Sequence, residues 1–80
     1  MESILTYQKI FKEIFSLKED TNFDSLEYQG TEAWDSVGHM ELITQLESIF
    51  KISMEMDDVI DFSSYLVGVQ ILKKYGVEFN

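Results

Sequence analysis

The sequence predicts an all-α fold: a small four-helix bundle of three main helices and a short third one, with a long loop between helices 1 and 2. Three observations predict it. Apolar residues recur at i, i+3, i+4 and i+7 over long segments. No stretch reads as a strand. Proline is absent, and turn formers gather in a single aperiodic segment. The whole chain, 1–80, is expected to be one domain, because eighty residues cannot divide their apolar surface between two cores. A hydrophobic fraction of 45%, with six Phe, four Tyr and one Trp, favours folding over disorder.

The first helix is predicted over residues 3–17, "SILTYQKIFKEIFSL", with Ile4, Tyr7, Ile10, Phe11, Ile14, Phe15 and Leu17 on one face. Residues 18–35 break the period with Asp20, Asn22, Asp24 and Gly30 and read as a long loop, which Phe23, Leu26 and Trp34 hold down by turning inward. A second helix starts at Ser36 or just before it and runs to about Phe50. "SMEMDDVI", 53–60, allows at most a short third helix. Ser63 or Ser64 offers an N-cap for the fourth. That helix ends in "KKYG", with lysines at the negative end of its dipole and Gly76 as the stop.

Charge narrows the partners. Fifteen acidic residues face six lysines and no arginine, a formal net charge of −9. Such a surface repels nucleic-acid phosphates and anionic lipid. It either attracts proteins with basic patches or only keeps a small domain soluble. Without cysteine, disulfides and thiolate metal sites are excluded, and any thiol chemistry must come from an added group. The lack of a basic N-terminus, a long apolar run or a cleavage site predicts a soluble cytoplasmic protein.

Asp20, Asn22 and Asp24 match the first ligand positions of a calcium-binding EF-hand loop, but Ser25 replaces its glycine and Thr31 its closing glutamate. No metal site is therefore expected. Ser36 and His39 suggest a nucleophile and base, yet His39 belongs to the core side of the helix beside Leu42 and Leu46, and no nucleophile elbow is present. The chain is not expected to be an enzyme.

The start of the second helix is the remaining candidate. Ser36 serves there as a helix cap or as a place to attach an anionic group, which a helix N-terminus favours. Gly38 leaves the nearby backbone uncluttered. At about 100° per residue, His39, Leu42, Ile43, Leu46, Ile49 and Phe50 form the core arc. Val37 and Met40 fall on the opposite face with Ser36, Glu41, Thr44, Glu47 and Ser48, an apolar centre with a charged rim that suits docking.

The stretch "DSVGHMELITQLESIF" resembles an acyl carrier protein, in which an Asp-Ser-Leu triplet opens the second helix and the serine carries 4′-phosphopantetheine. The likeness covers nearly the whole chain. The first helix, the loop, the second helix, the acidic "EMDDVI" and the closing "DFSSYLVGVQILKKYG" arrive in family order. "WDS" with "GHM" is similar to discrete carriers of specialised pathways.

The resemblance implies that Ser36 is the attachment site, flanked by Asp35 and by Val37 in place of the usual leucine. It implies that Glu41, Glu47, Asp57, Asp58 and Asp61 form the acidic surface that binds basic patches on a phosphopantetheinyl transferase and on ligases, synthases and transferases. A monomer serving fatty acid or related lipid metabolism is implied, with neither nucleic acid nor membrane as partner. The working thiol then belongs to the prosthetic group, which tethers an acyl thioester and raises its local concentration. An acyl chain would enter the bundle among Leu46, Met54, Val59, Phe62, Gly68 and Ile71. Gly68 either leaves that space or lets two helices pack closely. An aminoacyl or peptidyl carrier of the same fold, or an unmodified acidic interaction module, are the alternatives.

Overall fold

The computed structural model describes residues 3–30 and 33–79; Thr31, the last position of the calcium-loop spacing, lies outside them. The described residues form α1 (Ser3–Phe15), α2 (Ser36–Phe50), α3 (Met56–Asp61) and α4 (Tyr65–Lys74), with a 3-10 turn at Phe23–Ser25. They contain no β-strand, and Glu27 and Ser64 pair as an isolated antiparallel bridge.

Helix starts follow from side-chain oxygens that satisfy free N–H groups. Asp35, not Ser36, caps α2: its carboxylate accepts from the Gly38 N–H at 2.9 Å. Ser64 caps α4, accepting from the Val67 N–H at 3.0 Å. Glu55, at the same position of α3, makes no such bond. The ends of α1, α2 and α4 share one device, which α3 lacks. After α1, Ser16 takes a φ of +54° and the Leu17 N–H returns to the Lys12 carbonyl at 3.1 Å. After α2, Lys51 takes +58° and the Ile52 N–H returns to Glu47 at 3.1 Å. After α4, Gly76 takes +91° and the Val77 N–H returns to Leu72 at 3.2 Å. This left-handed turn ends α1 at Phe15, two residues before the apolar period runs out.

α1 packs along α2, burying Tyr7, Ile10, Phe11 and Phe15 with Leu42, Ile43 and Leu46. Aromatic edges organise the centre: the Phe11 ring stands edge-on to Tyr7 at 4.9 Å, and to Trp34 and Tyr65 each at 5.3 Å. Leu26 and Trp34 are buried and Phe23 half-buried, which fastens the chain between α1 and α2. Backbone bonds tie that segment to the start of α4, from the Tyr28 N–H to Ser63 at 2.9 Å and from the Tyr65 N–H to Leu26 at 3.0 Å. Burial, with Tyr65 nearby, pushes the Tyr7 hydroxyl well above its ordinary pKa, so it serves as a neutral donor to the Tyr65 carbonyl at 2.8 Å.

Ile49 departs from the predicted core arc and is 45% exposed, because Phe50 and Ile52 close that end of the core instead. Gly68 is buried, and a Cβ there would run into the Phe62 ring and the Tyr7 hydroxyl. The room a side chain would take is already filled.

Candidate functional site

Because Asp35 caps α2, the Ser36 hydroxyl has no capping duty. It is exposed on the first helical turn, and its one side-chain partner among the described residues is the Tyr28 hydroxyl at 3.2 Å. Gly38 serves a purpose other than the expected open backbone. It is buried against the Ala33 carbonyl, and a Cβ would also meet the Phe15 ring at 3.1 Å, so glycine lets the preceding segment lie close on the helix.

Two clefts meet at Ser36. One, of about 730 Å³, lies between α1 and α2 and is lined by Glu13, Ile14, Val37, Met40, Glu41, Thr44 and Gln45. The other, of about 390 Å³, lies between α2 and α3, with Tyr28, His39, Met40, Met56, Val59, Ile60, Phe62 and Ser63 around it. The first carries carboxylates and the second carries none. No lysine lines either.

His39 builds the wall of the second cleft. The Trp34 indole N–H donates to His39 Nδ1 at 3.0 Å, and His39 Nε2 lies 2.8 Å from the Val59 carbonyl. An indole can only donate, so Nδ1 must accept and Nε2 must carry the proton that goes to Val59. This half-buried histidine joins the segment before α2 to α3. Its ring also receives the Tyr28 ring edge-on at 5.4 Å.

The expected docking residues divide. Val37, Met40, Glu41 and Thr44 are exposed on α2, and Asp57 and Asp61 are exposed on α3. Asp58 is not on this rim. It turns inward, where Lys74 donates to one oxygen at 2.7 Å and the Tyr75 hydroxyl to the other at 2.5 Å. The bond from Lys74, then that from Tyr75, holds its carboxyl below the usual range, and the same bonds raise Lys74 and Tyr75. Glu47 is also occupied: half-buried, it accepts the Met54 N–H at 2.9 Å and closes the turn after α2.

The interior pocket is redrawn as well. Val59 and Phe62 do line the cleft beside Ser36, but Leu46, Met54, Gly68 and Ile71 line neither cleft. Leu46 and Ile71 are core, and Met54 packs against it. Gly68 is covered by Phe62 and Tyr7.

Sequence reasoning missed Met56 and Ile60, exposed at 71% and 70%, which extend the apolar surface from Val37 and Met40 across to α3. Their i, i+4 spacing places them on one face of α3 but, over six residues, does not say whether that face points in or out. It missed Tyr28 too, which lies in an aperiodic segment and carries no such signal. Among the described residues no three His, Asp or Glu side chains converge to hold a metal ion, and no helix is long and apolar enough to cross a membrane. No protein family, curated protein or solved structure matches this chain.

Proposed function

We propose that this chain is a carrier protein, which tethers acyl groups as thioesters on a 4′-phosphopantetheine arm attached to Ser36 and presents them to biosynthetic enzymes. One observation carries the reading. The Ser36 hydroxyl is exposed on the first turn of α2, spared from capping by Asp35, at the meeting point of two clefts. The likeness of "DSVGHMELITQLESIF" to acyl carriers supports it, as does the helix order expected of a four-helix bundle with a long first connection.

The residues present fit such an arm. Ser36 offers a reachable hydroxyl, the helix N-terminus favours an anionic phosphodiester, and both clefts offer apolar walls. Attachment joins the Ser36 oxygen to the β-phosphorus of coenzyme A as the pyrophosphate bond breaks. Adenosine 3′,5′-bisphosphate leaves, and the serine proton passes to the transferase. The arm supplies the thiol that this cysteine-free chain lacks. Val37, Met40, Glu41 and Thr44, with Asp57 and Asp61, present an apolar centre and acidic rim to basic patches on partner enzymes. The chain itself performs no catalysis and works as a cytoplasmic monomer.

Incubation with coenzyme A, Mg²⁺ and a broad-specificity phosphopantetheinyl transferase should add one phosphopantetheinyl mass to the protein. Ser36→Ala should fold normally and stay unmodified. An unmodified parent, or a modified alanine variant, overturns the reading.

A further inference from the structure

Esterification changes what the Tyr28 hydroxyl must do. In the free protein either hydroxyl of the Tyr28–Ser36 pair can donate across their 3.2 Å contact. Once Ser36 is a phosphodiester its oxygen has no proton, so Tyr28 becomes the sole donor of the pair, facing an anion. We infer that Tyr28 is the positioning residue for the arm: its hydroxyl donates to the phosphodiester on Ser36 and holds it on the α2–α3 side. This rests on the carrier reading of Ser36.

The surroundings favour that side. Tyr28 is fixed at both ends, its N–H bonded to the Ser63 carbonyl at 2.9 Å and its ring against His39 at 5.4 Å. His39 is in turn held by Trp34 and Val59, so the hydroxyl sits on a braced support. Tyr28 itself lines the α2–α3 cleft, whose other polar groups include Ser63 and His39 and no carboxylate. The opposite cleft presents Glu13 and Glu41, which repel a phosphodiester. A donor on one side and like charge on the other select the direction in which the arm leaves Ser36.

Tyr28→Phe removes the hydroxyl and keeps the ring on His39. The experiment loads parent and variant with the arm, then compares their ³¹P resonances with that of the same loaded protein unfolded in urea. The parent resonance should be broad and displaced from the unfolded position. In Tyr28→Phe it should narrow and move toward that position, as the ratio of held to free arm falls about tenfold, the effect of one hydrogen bond to a charged group. The urea midpoint should not move, which separates positioning from a structural role. In the loaded parent, Tyr28 ring protons should show nuclear Overhauser contacts to the methylene beside the phosphate, a readout that holds whether or not the variant folds. Identical resonances in loaded parent and variant, or no such contacts, overturn the Tyr28 role alone. A parent that takes no group overturns it together with the carrier reading.

Discussion

Leu46 on α2 and Asp58 on α3 are both buried, but for different reasons. Leu46 is fully out of water within the cluster that holds Phe11, Trp34 and Leu72. Its burial is apolar, indifferent to pH and little affected by salt. Asp58 is buried because Lys74 and Tyr75 reach it from the end of α4 and the residue beyond. α3 is also tied by the His39 bond to the Val59 carbonyl and by the Glu55 N–H bond to the Tyr75 hydroxyl. Val59 and the following Phe62 pack on the core, while Met56 and Ile60 face outward. A six-residue helix whose start has no side-chain cap cannot sustain itself in isolation. One wall of the cleft beside Ser36 is therefore held by polar latches together with the packing of Val59 and Phe62, whereas Leu46 is held by packing alone. The latched wall is expected to open more readily than the rest unfolds.

The sharpest test of this contrast is at Leu46. Leu46→Ala should destabilise the whole fold by about 2–5 kcal/mol, a large part of what a domain this small possesses. Met40→Ala, on the exposed face of the same helix, should stay within about 1 kcal/mol of the parent, and urea midpoints compare the two. Equal losses would move Met40 into the core.

Asp58→Asn should have a smaller and more local effect. Amide exchange should quicken at Val59 and its α3 neighbours, while the core amides of α1 and α2 keep their protection. Acid should act in the same way. The folded carboxyl titrates lower than the unfolded one, so its stabilising contribution is complete above the ordinary value and is lost as pH falls through the folded value. Protection factors in α3, which allow for the slower intrinsic exchange in acid, should therefore fall below about pH 4. Lys74 is raised, so its share is present below the ordinary lysine value and lost as pH rises through the folded one. The latch should hold between these limits. Uniform loss of protection across all four helices on acidification would abolish the distinction.

The smallest expected change is a gain. Lys51 occupies a left-handed conformation at φ +58° that costs an ordinary side chain about 1–2 kcal/mol. Glycine relieves that but loses about 0.5–1 kcal/mol in chain entropy. Lys51→Gly should then raise stability by up to about 1 kcal/mol, read as a higher urea midpoint, with α3 exchange relative to the core unchanged.

The helices α1, α2 and α4 could be read from the chain alone, because a helix of several turns repeats its apolar face often enough to be recognised. A cap at Ser63 or Ser64, which the structure resolves to Ser64, the stop at Gly76, and the exposure of Val37 and Met40 were legible for the same local reasons. In α3 six residues make less than two turns, too few for the period to separate inward from outward. Only the approach of Lys74 and Tyr75 decided that Asp58 points in. Only packing filled the space beside Gly68 with the Phe62 ring and the Tyr7 hydroxyl. Asp35 took the cap from Ser36 through the backbone conformation at the helix start, which composition does not reveal. The Tyr28–Ser36 contact depended on Tyr28 being bonded to Ser63, far along the chain. Local periodicity is written into a sequence one helix at a time, whereas which polar group meets which across helices is settled when their apolar faces are buried together.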